Sequence, residues 1–103
     1  MTTRGAYNTL TPAGTTQAAA ALINADTVML TGGTAAQGAI LPPTMDLNQE
    51  VIVVNGDASI EYFVYPQVGG KINNATANLG LLVPPNRAVR FRAINALDVI
   101  AFF

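Results

Sequence analysis

The sequence predicts an all-β domain, a small antiparallel β-sandwich or jelly-roll-like barrel with an extended N-terminal arm. Three observations lead there. From Asp26 onward the chain breaks into seven or eight short apolar or β-branched runs, each bounded by Gly, Pro or Asn. No stretch after Asp26 could form a crossover helix of about ten or more residues, which the parallel sheet of an α/β domain needs. The chain has 103 residues, half of them hydrophobic and 11% charged, with a mean hydropathy of +0.36. That length suits one domain, and that composition opposes disorder.

Residues 1–17 are rich in Thr, Gly, Asn and Pro and read as an arm with Tyr7 and Leu10 as anchors, a frayed terminus being the alternative. Residues 18–103 form the single β domain. Thr15 to Ile23 carries four consecutive alanines, which favour one or two helical turns ended by Asn24. Val28 to Leu30 and Gly38 to Leu41 are short strands, the second closed by Pro42-Pro43. Glu50 to Val54 ends at Asn55-Gly56, a turn signal, and Ile60 to Tyr65 follows; together they read as a hairpin. Lys71-Ile72 is a minimal strand, and Gly80 to Val83 stops at Pro84-Pro85. In Ala88 to Ile94, Val89, Phe91 and Ala93 alternate with Arg90 and Arg92, the pattern of a half-buried strand. Leu97 to Phe103 forms the last strand, with Leu97, Val99, Ala101 and Phe103 facing one way and Ile100 and Phe102 the other.

Gly38-Ala39-Ile40-Leu41-Pro42-Pro43 is similar to Gly80-Leu81-Leu82-Val83-Pro84-Pro85, and each precedes a β-rich run ending in Asn. Either this is chance in a chain of few residue types, or each half supplies a strand, a Pro-Pro corner and a hairpin that pack face to face.

The composition removes most catalytic chemistry. With no His and no Cys, catalytic triads, thiolate nucleophiles, disulfides and the usual zinc or haem sites are excluded. Ser59 is the one serine, and the one lysine, Lys71, is remote from it in sequence. Gly32-Gly33-Thr34 lacks the spacing and lysine of a phosphate loop and reads as a connection between strands. Asp26, Asp46, Glu50, Asp57, Glu61 and Asp98 could pair as acid and base, but there is no Trp to stack a saccharide and little room for a cleft. No calcium-loop pattern occurs among them. Asn74-Ala75-Thr76 matches a glycosylation acceptor, a triplet common by chance. The expectation is therefore no enzyme, no cofactor and no metal.

Five basic and six acidic residues give a net charge of −1, with no global pull toward nucleic acid or an anionic membrane. Arg87, Arg90 and Arg92 crowd one strand. Single-stranded nucleic acid could use such a stripe, but ion pairing and subunit contact are the stronger reading. The N-terminus lacks the basic start and apolar run of a secretory signal, and no apolar stretch reaches bilayer length. The chain reads as made in the cytoplasm, with neither membrane nor nucleic acid as partner. Apolar residues on both faces of Val51 to Val54, Ile60 to Tyr65 and Leu97 to Phe103 exceed what one core can hide. A homo-oligomer or larger assembly would cover the excess.

The runs Asn24 to Leu30, Gly38 to Pro42, Val51 to Asn55, Val64 to Pro66 and Gly70 to Asn73 resemble small tailed-phage virion proteins, the head decoration (cement) proteins and related β-rich fibre modules. The resemblance covers about residues 20–95 and rests on the order and spacing of several short motifs. It implies a trimeric β-sandwich on the outer capsid surface of a virion, bridging major capsid subunits against internal pressure. Arg4, Tyr7 and Leu10 are then candidates for capsid contact. Tyr62, Tyr65, Arg90, Arg92, Phe102 and Phe103 are candidates for the trimer interface. Read as a complete short chain without a coiled coil or receptor-binding extension, it points to the head. The alternative is a trimeric head-fibre or tail-fibre module that binds host surface glycans.

Overall fold

The computed structural model describes the backbone from residue 3 to residue 103 and the side chains from residue 7 onward. Nine strands are present among the described residues: β1 (Thr3–Leu10), β2 (Ala21–Leu22), β3 (Ala25–Leu30), β4 (Gly38–Ile40), β5 (Glu50–Asn55), β6 (Tyr62–Tyr65), β7 (Leu81–Val83), β8 (Ala88–Ala93) and β9 (Val99–Phe102). They make a five-stranded sheet in the order β1-β3-β5-β8-β9 and a four-stranded sheet in the order β2-β4-β6-β7. The result is all-β and sandwich-like, and it is not a closed barrel. No helix long and apolar enough to cross a membrane occurs among the described residues.

The pairing is mixed, where the sequence suggested an antiparallel fold. β1, β3 and β5 run parallel in one sheet, and β2, β4 and β6 run parallel in the other. Through β6 the chain changes sheet at every step. Parallel neighbours need a crossover, and here a strand of the opposite sheet supplies it. The lack of crossover helices therefore excluded α/β packing without excluding parallel strands. After β6 the direction reverses: β7 pairs antiparallel with β6, β8 with β5, and β9 with β8.

Three local expectations change accordingly. The hairpin expected from Val51 to Tyr65 does not form, because β5 and β6 lie in opposite sheets and Gly56 to Glu61 crosses between them. The alanine-rich segment is not helical. Its turn closes through Ala19 N–H to Thr16 O and Ala20 N–H to Gln17 O, and Ala21-Leu22 then pairs with Ala39-Ile40. Pairing with β4 outweighs the weak intrinsic preference of alanine. The expected free arm is instead β1 over residues 3–10, an edge strand whose Tyr7, Asn8, Thr9 and Leu10 pair with Thr27, Val28, Met29 and Leu30.

The two similar hexapeptides occupy related places. β4 and β7 flank β6 on opposite sides and run in opposite directions. Each leaves through Pro-Pro, which cannot continue a ladder, into a strand of the other sheet, and those strands, β5 and β8, are antiparallel neighbours. The units lie side by side rather than face to face, and they diverge afterwards. β9 stays beside β8 as a hairpin turned by Asn95, whose Oδ1 accepts the N–H groups of Leu97 and Asp98. β6 crosses back to the other sheet. Asn48, Asn73, Asn74, Asn78 and Asn86 take left-handed backbone positions in the connections, with φ between 54° and 67°; Asn tolerates these better than most side chains.

The core lies between the sheets. Val28, Leu30, Val51, Val53, Val89, Phe91, Ala93 and Val99 enter from the five-stranded side, and Ala39, Tyr62, Val64 and Val83 from the other. Ile23, Leu41, Met45 and Ile72 fill it from the connections. The expected inward set Val89, Phe91 and Ala93 is buried as the alternation required. Ile72, expected as a minimal strand, makes a single bridge to Val99. Residues 71–73 guard the outer edge of β9: Val99 N–H donates to Lys71 O, and Ala101 N–H donates to Asn73 Oδ1 at 2.9 Å. Spent donors of this kind block edge-to-edge pairing.

Two polar groups tie the sheets together. Asn55, fully buried at the end of β5, donates from Nδ2 to Ile60 O at 2.7 Å and Val83 O at 3.1 Å. Its Oδ1 accepts the Asp57 N–H at 3.0 Å, and its own N–H donates to Arg87 O at 2.8 Å. The Tyr62 ring is 0% exposed, and its hydroxyl donates to Asp57 Oδ2 and accepts the Gly33 N–H. Burial first, then the Asp57 carboxylate, raises the Tyr62 pKa above its ordinary value of 10.0, with the Gly33 N–H opposing.

Asn55→Ala should lower stability by about 2–4 kcal/mol, since it leaves buried carbonyls and an N–H unpaired; the shift in urea midpoint measures it, and a loss under about 0.5 kcal/mol would contradict the tie. The raised Tyr62 pKa adds stability that is complete below the unfolded value of 10.0 and is lost as pH rises through the higher folded value. Denaturation curves at increasing alkaline pH should therefore show a steeper loss of stability for the native sequence than for Tyr62→Phe.

Candidate interaction surface

Each strand pairs its inward residues with the core and leaves an opposite set outside. Register aligns the outer set of the five-stranded sheet. Tyr7, Thr27, Ile52, Arg90 and Phe102 form one cross-strand row. Thr9, Met29, Val54 and Ala88 form the row on one side of it, and Glu50, Arg92 and Ile100 the row on the other. Tyr7 is 56% exposed, Phe102 42% and Phe103 60%, large apolar exposures for one face.

Two of the arginines at this face stand against its rings. The Arg90 guanidinium lies 5.4 Å from the Phe102 ring centre, and that of Arg87 lies 5.7 Å from the Phe103 ring centre. Each stacking is worth about 0.5–1 kcal/mol when exposed. Arg90 Nε is 3.7 Å from Glu50 Oε2, an exposed pair worth about 0–1 kcal/mol. Between the rings opens a shallow cleft of about 260 Å3, lined by Ile52, Ala88, Val89, Arg90, Phe102 and Phe103.

The outer face of the four-stranded sheet is different. Leu22, Ile40 and Tyr65 form one row, and Gly38, Phe63 and Leu82 the next. None of these side chains carries a charge. The Tyr65 ring lies over two glycines, one from each similar hexapeptide: a Cβ on Gly38 would sit 2.7 Å from Tyr65 Cε2, and one on Gly80 would sit 2.9 Å from Cε1. Phe63 stacks beside Tyr65 with ring centres 6.1 Å apart, and the Tyr65 hydroxyl donates to Thr15 O at 3.3 Å.

The expected interface residues thus divide. Arg90, Arg92, Phe102 and Phe103 come together on the five-stranded face. Tyr65 lies on the opposite face. Tyr62 is not at the surface at all, because the alternation of β6 turns Tyr62 and Val64 inward and Phe63 and Tyr65 outward. Of the expected arm contacts, Tyr7 joins the five-stranded face, Leu10 packs partly against the core, and the Arg4 side chain lies outside the described residues. In the last strand Val99 is inside with Ile100 and Phe102 outside, while Leu97 and Phe103, expected on the same side as Val99, are exposed beyond the strand ends. Leu22, Ile52, Phe63 and Leu82 join these faces beyond the expected residues, and period-two alternation in the sequence is the signal that places Ile52 outside.

The acids are dispersed. Asp57 serves Tyr62, Glu50 faces Arg90, and Asp98 accepts from Lys71 N–H and Asn95 Nδ2. Among the described residues no three His, Cys, Asp or Glu side chains gather as metal ligands. What the arrangement offers is two apolar surfaces suited to contact, one uncharged and one edged with stacked arginines. Compared with known proteins, the chain matches no family model, no curated protein and no solved structure.

Proposed function

We propose that the chain is a structural virion protein, a capsid decoration protein that self-associates as a trimer on the outer shell and bridges major capsid subunits. One observation carries the reading: a sandwich of this size exposes apolar residues on the outer faces of both sheets. Contiguous exposed apolar area of this kind marks contact surfaces. One face serves contact between copies and the other contact with the shell. The five-stranded face is the self-contact, because it gathers four of the expected trimer residues and combines Phe with Arg, residue types enriched in interfaces. The uncharged four-stranded face, with Tyr65 held flat over Gly38 and Gly80, is the shell-facing one. The resemblance of the motif succession to decoration proteins supports the same reading.

The test has two parts. The purified chain should sediment as a trimer, and it should add to undecorated capsids. A monomer that ignores capsids would overturn the proposal. Binding to host glycans without capsid addition would replace it with the fibre reading. Phe102→Ser with Phe103→Ser should shift the sedimenting species to a folded monomer, with far-UV circular dichroism unchanged, since both rings lie outside the core; a normal trimer would move the self-contact elsewhere. Leu82→Asp should leave the trimer intact and reduce capsid addition at least tenfold in a co-sedimentation assay.

A further inference from the structure

Among the described residues several charges are left without an ion pair, and two groups of them are complementary. Arg87, Arg90 and Arg92 lie on or beside the five-stranded face, and Glu50 is the carboxylate ion-paired there, at 3.7 Å from Arg90. Arg87 is stacked on Phe103, and neither it nor Arg92 has an ion pair among the described residues. At the other extreme stands Glu61. Asp57 and Asp98 accept hydrogen bonds, Glu50 has Arg90, and Asp26 and Asp46 also have partners. The Glu61 carboxylate, exposed just before β6, has no donor among the described residues; its backbone carbonyl alone is engaged, by Ala36 N–H at 3.2 Å. Small exposed residues surround it: Ala35, Ala36, Ala58 and Ser59.

Area points the same way. Five strands about 4.8 Å apart and about six residues long present roughly 500 Å2, whereas a standard interface needs about 800 Å2 from each partner. Contact through this face approaches a standard area more readily when it extends onto a loop. A corner of small residues bearing one unpaired acid complements an open cleft lined by Arg90 and by Phe103, against which Arg87 stands. The rings stand against each guanidinium without using its N–H donors; Arg87 meets no carboxylate among the described residues, and Arg90 gives its Nε side to Glu50 and keeps its terminal N–H groups for a second carboxylate.

We propose that the Glu61 corner of one copy, residues 58–61, docks into the arginine-edged cleft of a second copy, with the Glu61 carboxylate on Arg87 and Arg90. The inference rests on the self-associating reading above and names the groups that do it. Corner and cleft are different patches, so the contact is heterologous, and it closes into a ring such as a trimer when the rotation fits.

Charge reversal tests it. Glu61→Arg and Arg87→Glu should each raise the dissociation constant for self-association at least tenfold by sedimentation velocity, and the double variant should return to within about threefold of the native value. Glu61→Gln should weaken assembly in the same direction, which guards against a folding defect in the reversal. Single reversals that leave assembly unchanged, or a double variant that stays dissociated, would overturn the docking while leaving the trimer proposal standing. A native chain that is monomeric at every concentration would overturn both. Binding of a single-stranded oligonucleotide that is abolished by Arg87→Glu, with self-association untouched by it, would assign the cleft to phosphate instead.

Discussion

The central strands of this fold each press one face against the opposite sheet, and among the described residues no helical layer covers the other. That constraint follows from how the crossovers are made. A parallel pair in one sheet requires the chain to travel back along the sheet's face, and through β6 the return path is itself a strand. A helix would have put a third layer over one face. A strand builds the second sheet and adds no cover. The apolar outer rows, Ile52 with Phe102 on one side and Leu22 with Tyr65 on the other, are the direct result.

The closure of so thin a sandwich depends on a few satisfied polar groups. Asn55 joins the end of β5 to β7, β8 and the crossing segment, using both amide hydrogens and its carbonyl. Tyr62 brings a large apolar ring to the middle of the core and spends its hydroxyl on the Asp57 and Gly33 side. Both act where the chain changes sheet, where carbonyls released from one ladder have not yet joined another. The glycines of the repeated hexapeptides act on the outside instead, giving an aromatic ring a flat seat that a methyl group would remove.

The strands themselves were readable wherever alternation or β-branching was local. β8 announces its two faces in six residues, and the β8–β9 hairpin brings Arg90 beside Phe102 with no long-range information. Pairing was not readable. Val51 to Asn55 is plainly a strand, but Asn55-Gly56 has the composition of a hairpin turn while serving as a crossing, because the Asn55 side chain turns inward to the nearby Ile60 carbonyl and the distant Val83 carbonyl. Parallel partners such as Val28 and Val53 leave no neighbouring mark. The alanine run shows the same limit: a two-residue contact with β4 sets its conformation against its own preference. Tyr62 and Tyr65 look alike as interface candidates in the sequence; burial of the even positions of β6 separates them.

Asn55 has one more consequence, for chemical ageing. An asparagine followed by glycine is the dipeptide most prone to deamidation, in which the glycine nitrogen attacks the side-chain amide to form a succinimide. In this fold the Gly56 N–H is committed to Leu30 O at 2.9 Å, and the Asn55 amide is fixed by three hydrogen bonds with no exposure to water. The packed state therefore shields its own most fragile peptide link, and conversion there to aspartate keeps a record of how long the molecule has spent open.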